Sequence, residues 1–414
     1  MSLSKPKVLL VYSGNKGRGF SFPMGLLYVA RALIQTGLDV SLLHLGIESI
    51  NKIRCEDYLF VGISMLTGNM ITDGLKIAKR IKEYKKTIPI ILGGVHPSLL
   101  TEQTLQNKLV DIVVIGEGEE TSKELAIALL EKRNLSSVKG IAYKNSEGRV
   151  ITNPPRQLIN IDNIDTDLPY HLFGEYFISK TSTISIHTSR GCPYRCGFCY
   201  SVAFHKRKYR QKSAENVVAE IEYYYKKYNI LNYDFIYEDE FFIDATRGYE
   251  ILNIIIKKNL QIRWKAYCRF NTFDMAVKKY GNEFLELLKK SGCICLLFGA
   301  ESGSQRLLDE IITKDITIDQ IFRTIDKMRE YKIPHRLNFM NCFPTETEKD
   351  IEATSSVIEN ISKNNPYIAI TMSNLAPLPG TSIFNLLVKE YGYIPPSTLD
   401  DWGKFNMPID KKKH

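Results

Sequence analysis

Short apolar runs alternate with amphipathic stretches over the first ~145 residues, which is the rhythm of strand–helix units. Lys7 to Tyr12 is a nearly unbroken apolar run, as in a strand buried on both faces. Pro23 to Leu33 has helical spacing, with Pro23 at a first-turn position. Val40 to Leu45, Tyr58 to Ser64, Ile88 to Leu92 and Val110 to Ile115 repeat the strand pattern, and Asn69 to Lys85 reads as a helix between two of them. Repeats of this kind predict a doubly wound, Rossmann-like parallel sheet over residues 1–145.

The alternation lapses over 146–183. Asn153-Pro154-Pro155 and the stretch from Asp162 to Pro169 read as a linker. A second series starts at Ile184 to His187 and continues with strands ending near Tyr237, Tyr267, Phe298, Cys342 and Ser373. Helices separate them, and Ser213 stands as N-cap of the first. About six strand–helix units fall short of the eight of a closed barrel, so 184–383 is predicted to be an open, partial (β/α)6 barrel. Residues 384–414 are left as a short C-terminal segment.

Glycines gather where strands end. Ser64-Met65-Leu66-Thr67-Gly68, Gly93-Gly94-Val95-His96 and Gly116-Glu117-Gly118-Glu119 all follow predicted strands of the first series. Ligands of open α/β sheets bind at that edge, and glycine lets a ligand approach the backbone, so together the three loops suggest a cofactor face.

Composition narrows the class. In 414 residues, 44% are hydrophobic and 24% charged, as in globular proteins in water. No apolar run approaches a membrane span, and the N-terminal apolar run is too short for a secretory signal, so a cytoplasmic protein is expected. The formal net charge of +9 is concentrated at His205 to Lys212 and at Lys411 to Lys413. A basic run is usually a solvated face, and no RNA-binding signature accompanies it, so nucleic acid is not the expected partner.

Three of the eight cysteines lie in one short stretch, Cys192-x3-Cys196-x2-Cys199. Thiolates at this spacing hold soft metals, and three of them around an iron–sulfur cluster leave one iron open to a ligand. The alternative is a structural zinc site, completed by His187 or His205. Cys55, Cys268, Cys293, Cys295 and Cys342 sit in or beside apolar stretches and read as buried small hydrophobes.

Arg190-Gly191-Cys192-Pro193-x-x-Cys196-x-Phe198-Cys199 resembles the signature of radical S-adenosylmethionine (SAM) enzymes. Glu238-Asp239-Glu240-Phe241, Gly299 to Ser304, Phe343 to Thr347 and Pro377 to Thr381 are similar to later motifs of the subgroup with an N-terminal cobalamin (B12) domain. Pro23 to Tyr28, Gly93 to His96 and Val110 to Glu119 are similar to that subgroup's N-terminal motifs.

The resemblance implies a [4Fe–4S] cluster on Cys192, Cys196 and Cys199, with SAM on the fourth iron. Glu238 or Asp239 would receive the SAM amine, Glu301 with Ser302 the ribose, and Lys314 or Arg269 the carboxylate, with Tyr200 beside them. Cobalamin would lie on Ser64, Leu66, Thr67, Gly93, Gly94, Val95, Gly116, Glu117 and Gly118. The Asp-x-His-x-x-Gly motif of histidine-ligated cobalamin domains is absent, which leaves His96 as a turn residue. Many relatives have a longer C-terminal region. The implied activity is methyl transfer to an unactivated carbon through a 5′-deoxyadenosyl radical, supplied by an external one-electron reductant of flavodoxin or ferredoxin type. The substrate would be a small molecule, peptide or lipid. Non-methylating radical chemistry on the same scaffold is the alternative. An RNA methylthiotransferase ranks lower, because neither a second three-cysteine motif nor an RNA-binding domain is evident.

Overall fold

The computed structural model describes residues 5–14, 22–174, 183–235 and 240–405. They form two compact units: the described residues up to 159 with 167–174 and 393–405, and 160–166 with the described residues of 183–392. The stretch read as a linker is thus shared between the units, and residues 393–405 count with the first.

The first unit is built on strands β1 (Lys7–Tyr12), β2 (Asp39–His44), β3 (Tyr58–Ser64), β4 (Ile90–Gly93), β5 (Ile112–Val114), β6 (Ile141–Lys144) and β7 (Val150–Thr152). Their order is β2-β1-β3-β4-β5-β6-β7. The first five are parallel, while β6 and β7 add antiparallel at one edge. That edge lies beyond the alternation in the sequence, because strands this short leave little periodicity. Val8, Leu10, Phe60, Ile91, Ile112 and Val114 from the sheet pack with Leu26, Ala30, Leu33 and Leu125 from helices Met24–Gln35 and Glu119–Leu130. Pro23 stands at the N-cap of the first of these helices, one residue outside the predicted position.

The second unit carries β8 (Thr183–Ser185), β9 (Ser189–Arg190), β10 (Arg210–Gln211), β11 (Asn232–Phe235), β12 (Arg263–Cys268), β13 (Cys293–Glu301), β14 (His335–Asn341) and β15 (Ile368–Asn374). Among the described residues, six form an open parallel sheet in the order β15-β14-β13-β12-β11-β8, and β9 pairs with β10 in a separate antiparallel ribbon. The partial barrel expected from the sequence corresponds to this open sheet. Three of the helices between the strands start at side-chain caps: Ser213 accepts from the Asn216 amide at 3.3 Å, and Thr317 and Thr347 form capping boxes with Gln320 and Asp350. Phe235, Phe241, Phe242, Trp264 and Phe284 are fully buried together. The Trp264 indole is satisfied by the Ser291 carbonyl at 3.0 Å.

Candidate functional site

The cysteine loop follows β8 and is held by close backbone packing. Gly191 has φ +81°, and a Cβ there would stand 2.1 Å from the Lys208 carbonyl oxygen. Only glycine suits both demands. Gly197 is pinned from two sides: its amide donates to Ile312 O at 2.7 Å, and its carbonyl accepts from the Ile383 amide at 3.0 Å. Below the loop, the buried Arg247 donates to Thr188 O at 3.0 Å, Thr188 Oγ1 at 3.1 Å and Lys212 O at 3.3 Å. Sequence reasoning missed Arg247, since a helical arginine carries no sign that it is buried.

None of the three cysteines of the loop is in a disulfide; Cys196 is buried, and Cys192 and Cys199 are half-buried. No three His, Cys, Asp or Glu side chains among the described residues gather around one ion-sized point. Arg269, at the end of β12, donates from Nη1 to Cys196 Sγ at 3.1 Å and lies over the Tyr194 ring at 3.7 Å. It also bonds Asn271 Oδ1 at 3.2 Å and the Lys314 carbonyl. Burial opposes its charge, but the Cys196 thiol and its neighbours outweigh that and raise its pKa.

Glu301 and Lys314 form a buried ion pair, Nζ to Oε1 2.7 Å, with side chains 8% and 6% exposed. Lys314 Nζ also lies 5.8 Å from the centre of the Phe198 ring, the aromatic residue of the cysteine motif. The pair rests on Gly299, where a Cβ would meet Glu301 Oε1 at 2.2 Å. Glu301 itself takes φ +64°, at an irregularity in the β13–β14 pairing. Cys342 and Thr345, past the next strand, are at φ +64° and +66°. Strained non-glycine backbone at neighbouring strand ends is a mark of a functional edge.

The Ser302 hydroxyl bonds Thr354 Oγ1 at 3.2 Å and accepts from the Ser304 amide at 3.0 Å. Its side chain therefore braces the loop. Tyr200 is at the exposed start of helix Tyr200–His205, directly after Cys199. Glu238 and Asp239 lie outside the described residues. Their neighbour Glu240, which the sequence reading did not single out, is fully buried. Its Oε1 accepts from Thr272 Oγ1 at 2.9 Å, the Phe242 amide at 3.0 Å and the Arg269 amide at 3.3 Å, while Oε2 has no partner among the described residues. Burial raises its pKa from 4.5 to about 7, against these bonds and the Arg269 charge.

In the first unit, the three glycine-bearing loops lie at the C-terminal edge of β3, β4 and β5 and are tied to one another. Met65 N donates to Gly93 O at 2.9 Å. Ser98 Oγ donates to Gly94 O at 2.7 Å and accepts from Gly116 N at 2.9 Å. Thr67 Oγ1 stands 3.0 Å from His96 Nδ1. Gly68, Gly94 and Gly116 have φ +102°, +96° and +77°. A Cβ on Gly94 would stand 2.8 Å from Met65 O, while one on Gly116 would meet nothing within 4 Å. Ser64 ends β3, Val95 opens helix Val95–Leu99, and Glu117 precedes Gly118, the N-cap of helix Glu119–Leu130. Leu66 is 46% exposed. An open edge with positive-φ glycines, one of them with nothing within 4 Å of a Cβ position, leaves room for the close approach of a large, flat cofactor.

Residues 186–358 match the radical SAM superfamily, and residues 14–126 match the B12 binding domain. An uncharacterized methyltransferase of Pyrococcus horikoshii is 32% identical over 405 residues, covering 95% of this chain and 83% of that protein. The anaerobic magnesium-protoporphyrin IX monomethyl ester cyclase of Rubrivivax gelatinosus is 28% identical, over 74% of this chain and 54% of that one. Among solved structures, the radical SAM methyltransferase TsrM from Kitasatospora setae, with cobalamin and a [4Fe–4S] cluster bound, superposes with a TM-score of 0.75. That likeness covers 92% of this chain and 77% of TsrM at 20% identity, and it speaks for the fold. The chain belongs to the radical SAM superfamily, in the group that carries a B12 binding domain.

Proposed function

We propose that the protein is a cobalamin-dependent radical SAM methyltransferase acting on an unactivated carbon. The observation that carries this reading is the pairing, in one chain, of a three-thiol loop backed by Arg269 with an open glycine-lined B12 domain edge. When bound, the cluster supplies the electron that cleaves SAM, and cobalamin supplies a carrier for its methyl group.

The chain's own residues divide the work. Cys192, Cys196 and Cys199 would hold three irons of the cluster and leave the fourth to SAM. Lys314, buried and paired with Glu301, would meet the SAM carboxylate, and Glu301 would take the ribose hydroxyls. Glu238 or Asp239 receives the SAM amine. Arg269 serves the cluster through Cys196, which leaves Lys314 as the better carboxylate partner. In the first unit, the loops at 64–68, 93–95 and 116–118 form the corrinoid bed, and the exposed Leu66 gives it an apolar surface.

An external one-electron donor of flavodoxin or ferredoxin type is required, which suits a cytoplasmic setting; no helix among the described residues is long and apolar enough to cross a membrane. The substrate is a small molecule, a peptide or a lipid. Anaerobic reconstitution with iron, sulfide and cobalamin, then product analysis, tests the reading. A well-folded protein that takes up no corrinoid removes the mechanism. The 28% identical cyclase supports a second reading, radical chemistry without methyl transfer. Formation of 5′-deoxyadenosine without S-adenosylhomocysteine would favour it.

A further inference from the structure

Residues 393–405 follow the last helix of the second unit and count with the first. Helix Leu399–Gly403 is capped by Thr398 and packs on helix Asn69–Tyr84. Three ties fix the segment: Thr72 Oγ1 donates to Gly403 O at 2.9 Å, Gln103 Nε2 to Pro396 O at 3.1 Å, and Asn107 Nδ2 to Asp400 Oδ2 at 2.8 Å. Gly403 has no room for a side chain, since a Cβ would stand 2.5 Å from Thr72 Oγ1.

The packing leads to the corrinoid loops. Trp402 is 1% exposed, and its ring centre lies 5.5 Å from that of His96, tilted by 65°. His96 is 0% exposed; its Nδ1 is 3.0 Å from Thr67 Oγ1, and its Nε2 has no hydrogen-bond partner among the described residues. Burial lowers its pKa from 6.5 to about 4, so the ring is neutral and limited to the Thr67 contact. Farther along, the Phe405 carbonyl lies over Gly68, 3.2 Å from where a Cβ would be. Indole, imidazole and hydroxyl thus form one chain of contacts from the C-terminal segment, through the loop after β4, to the loop after β3.

We propose that Trp402 is a positioning residue for the corrinoid: through His96 and Thr67 it holds the loops at 64–68 and 93–96 in the arrangement that receives cobalamin. The inference rests on the first unit being a cobalamin domain. Its physical basis is preorganisation: loops at strand ends have few regular partners, and fixing them beforehand removes an ordering cost from binding. The C-terminal segment is therefore a working part of that domain.

The test titrates hydroxocobalamin into the full-length, iron-loaded protein and follows the corrinoid absorption. Trp402→Ala weakens binding about tenfold or more, as when the competent loop arrangement falls to about a tenth of the population. Trp402→Phe, which keeps a ring against His96, recovers most of the affinity. His96→Leu weakens binding, and adding Trp402→Ala to it costs little more, because both act through one contact chain. His96→Asn, which keeps a polar atom near Thr67 Oγ1 and leaves Trp402 in place, gives an independent comparison with His96→Leu should Trp402→Ala fail to fold. Iron content and SAM affinity stay as in the wild type. Wild-type corrinoid affinity in folded Trp402→Ala, or in His96→Leu, overturns the inference and leaves the domain reading standing. No corrinoid uptake by the wild type overturns both.

Discussion

Arg269 Nη1 donates a hydrogen bond to Cys196 Sγ at 3.1 Å, while its guanidinium lies 3.7 Å over the Tyr194 ring. A cation bonded to a cluster thiolate offsets the charge gained on reduction, so it raises the reduction potential. Arg269→Gln is expected to retain iron but to shift the cluster potential to more negative values and slow SAM cleavage. Arg269→Lys keeps the charge without the planar fork and should fall between. A redox titration followed by electron paramagnetic resonance checks the shift.

The buried Glu301–Lys314 pair gives a prediction that separates stability from binding. Lys314→Met strands a buried carboxylate and is expected to destabilise the apo protein by about 3 kcal/mol. Adding Glu301→Gln restores much of that stability, since the unpaired charge is gone. SAM affinity stays low in the double variant, because neither the cation nor the carboxylate is present. Denaturant unfolding and calorimetric SAM titration read the two effects separately.

Gly191 offers a steric test. An alanine there is strained at φ +81° and collides with the Lys208 carbonyl oxygen. The expected cost is about 1–3 kcal/mol, concentrated in the cysteine loop. Iron bound per chain after reconstitution should fall well below that of the wild type, with the melting temperature only moderately lowered.

Glu240 makes stability pH-dependent. Its pKa rises from 4.5 to about 7 on folding, chiefly through burial. The native state therefore keeps a proton that the unfolded chain releases within that window, and stability falls as pH rises through it. The slope is roughly 1.4 kcal/mol per pH unit at most, for a total of about 3 kcal/mol. Glu240→Gln has no such titration and should lose less stability than the wild type between pH 4.5 and about 7. Paired denaturation curves at the two ends of the window check the sign.

The parallel core of each unit was legible because its strands are apolar runs between turn residues, and the cysteine loop because thiol spacing is a local property. What was not legible depends on long-range packing. The edge strands β6 and β7 are too short to show a period. Ser302 stood in the right motif, yet its hydroxyl is engaged by Thr354, fifty-two positions away. Glu240 looked like the third member of a charged strand end, and only the fold shows that it is buried. The sequence reads His96 as a turn residue, whereas the structure places it in the short helix Val95–Leu99 that follows β4. Its partner Trp402 arrives from the far end of the chain, which no local pattern announces.

That a single chain carries both a radical-forming cluster and a methyl-carrying corrinoid is tested most directly by quantifying two products of SAM in the anaerobically reconstituted protein, with and without cobalamin. With reductant present, 5′-deoxyadenosine should form only when Cys192, Cys196 and Cys199 are intact, and S-adenosylhomocysteine only when cobalamin is bound. S-adenosylhomocysteine that is absent from corrinoid-loaded protein, or indifferent to the corrinoid, would contradict the methyltransferase assignment.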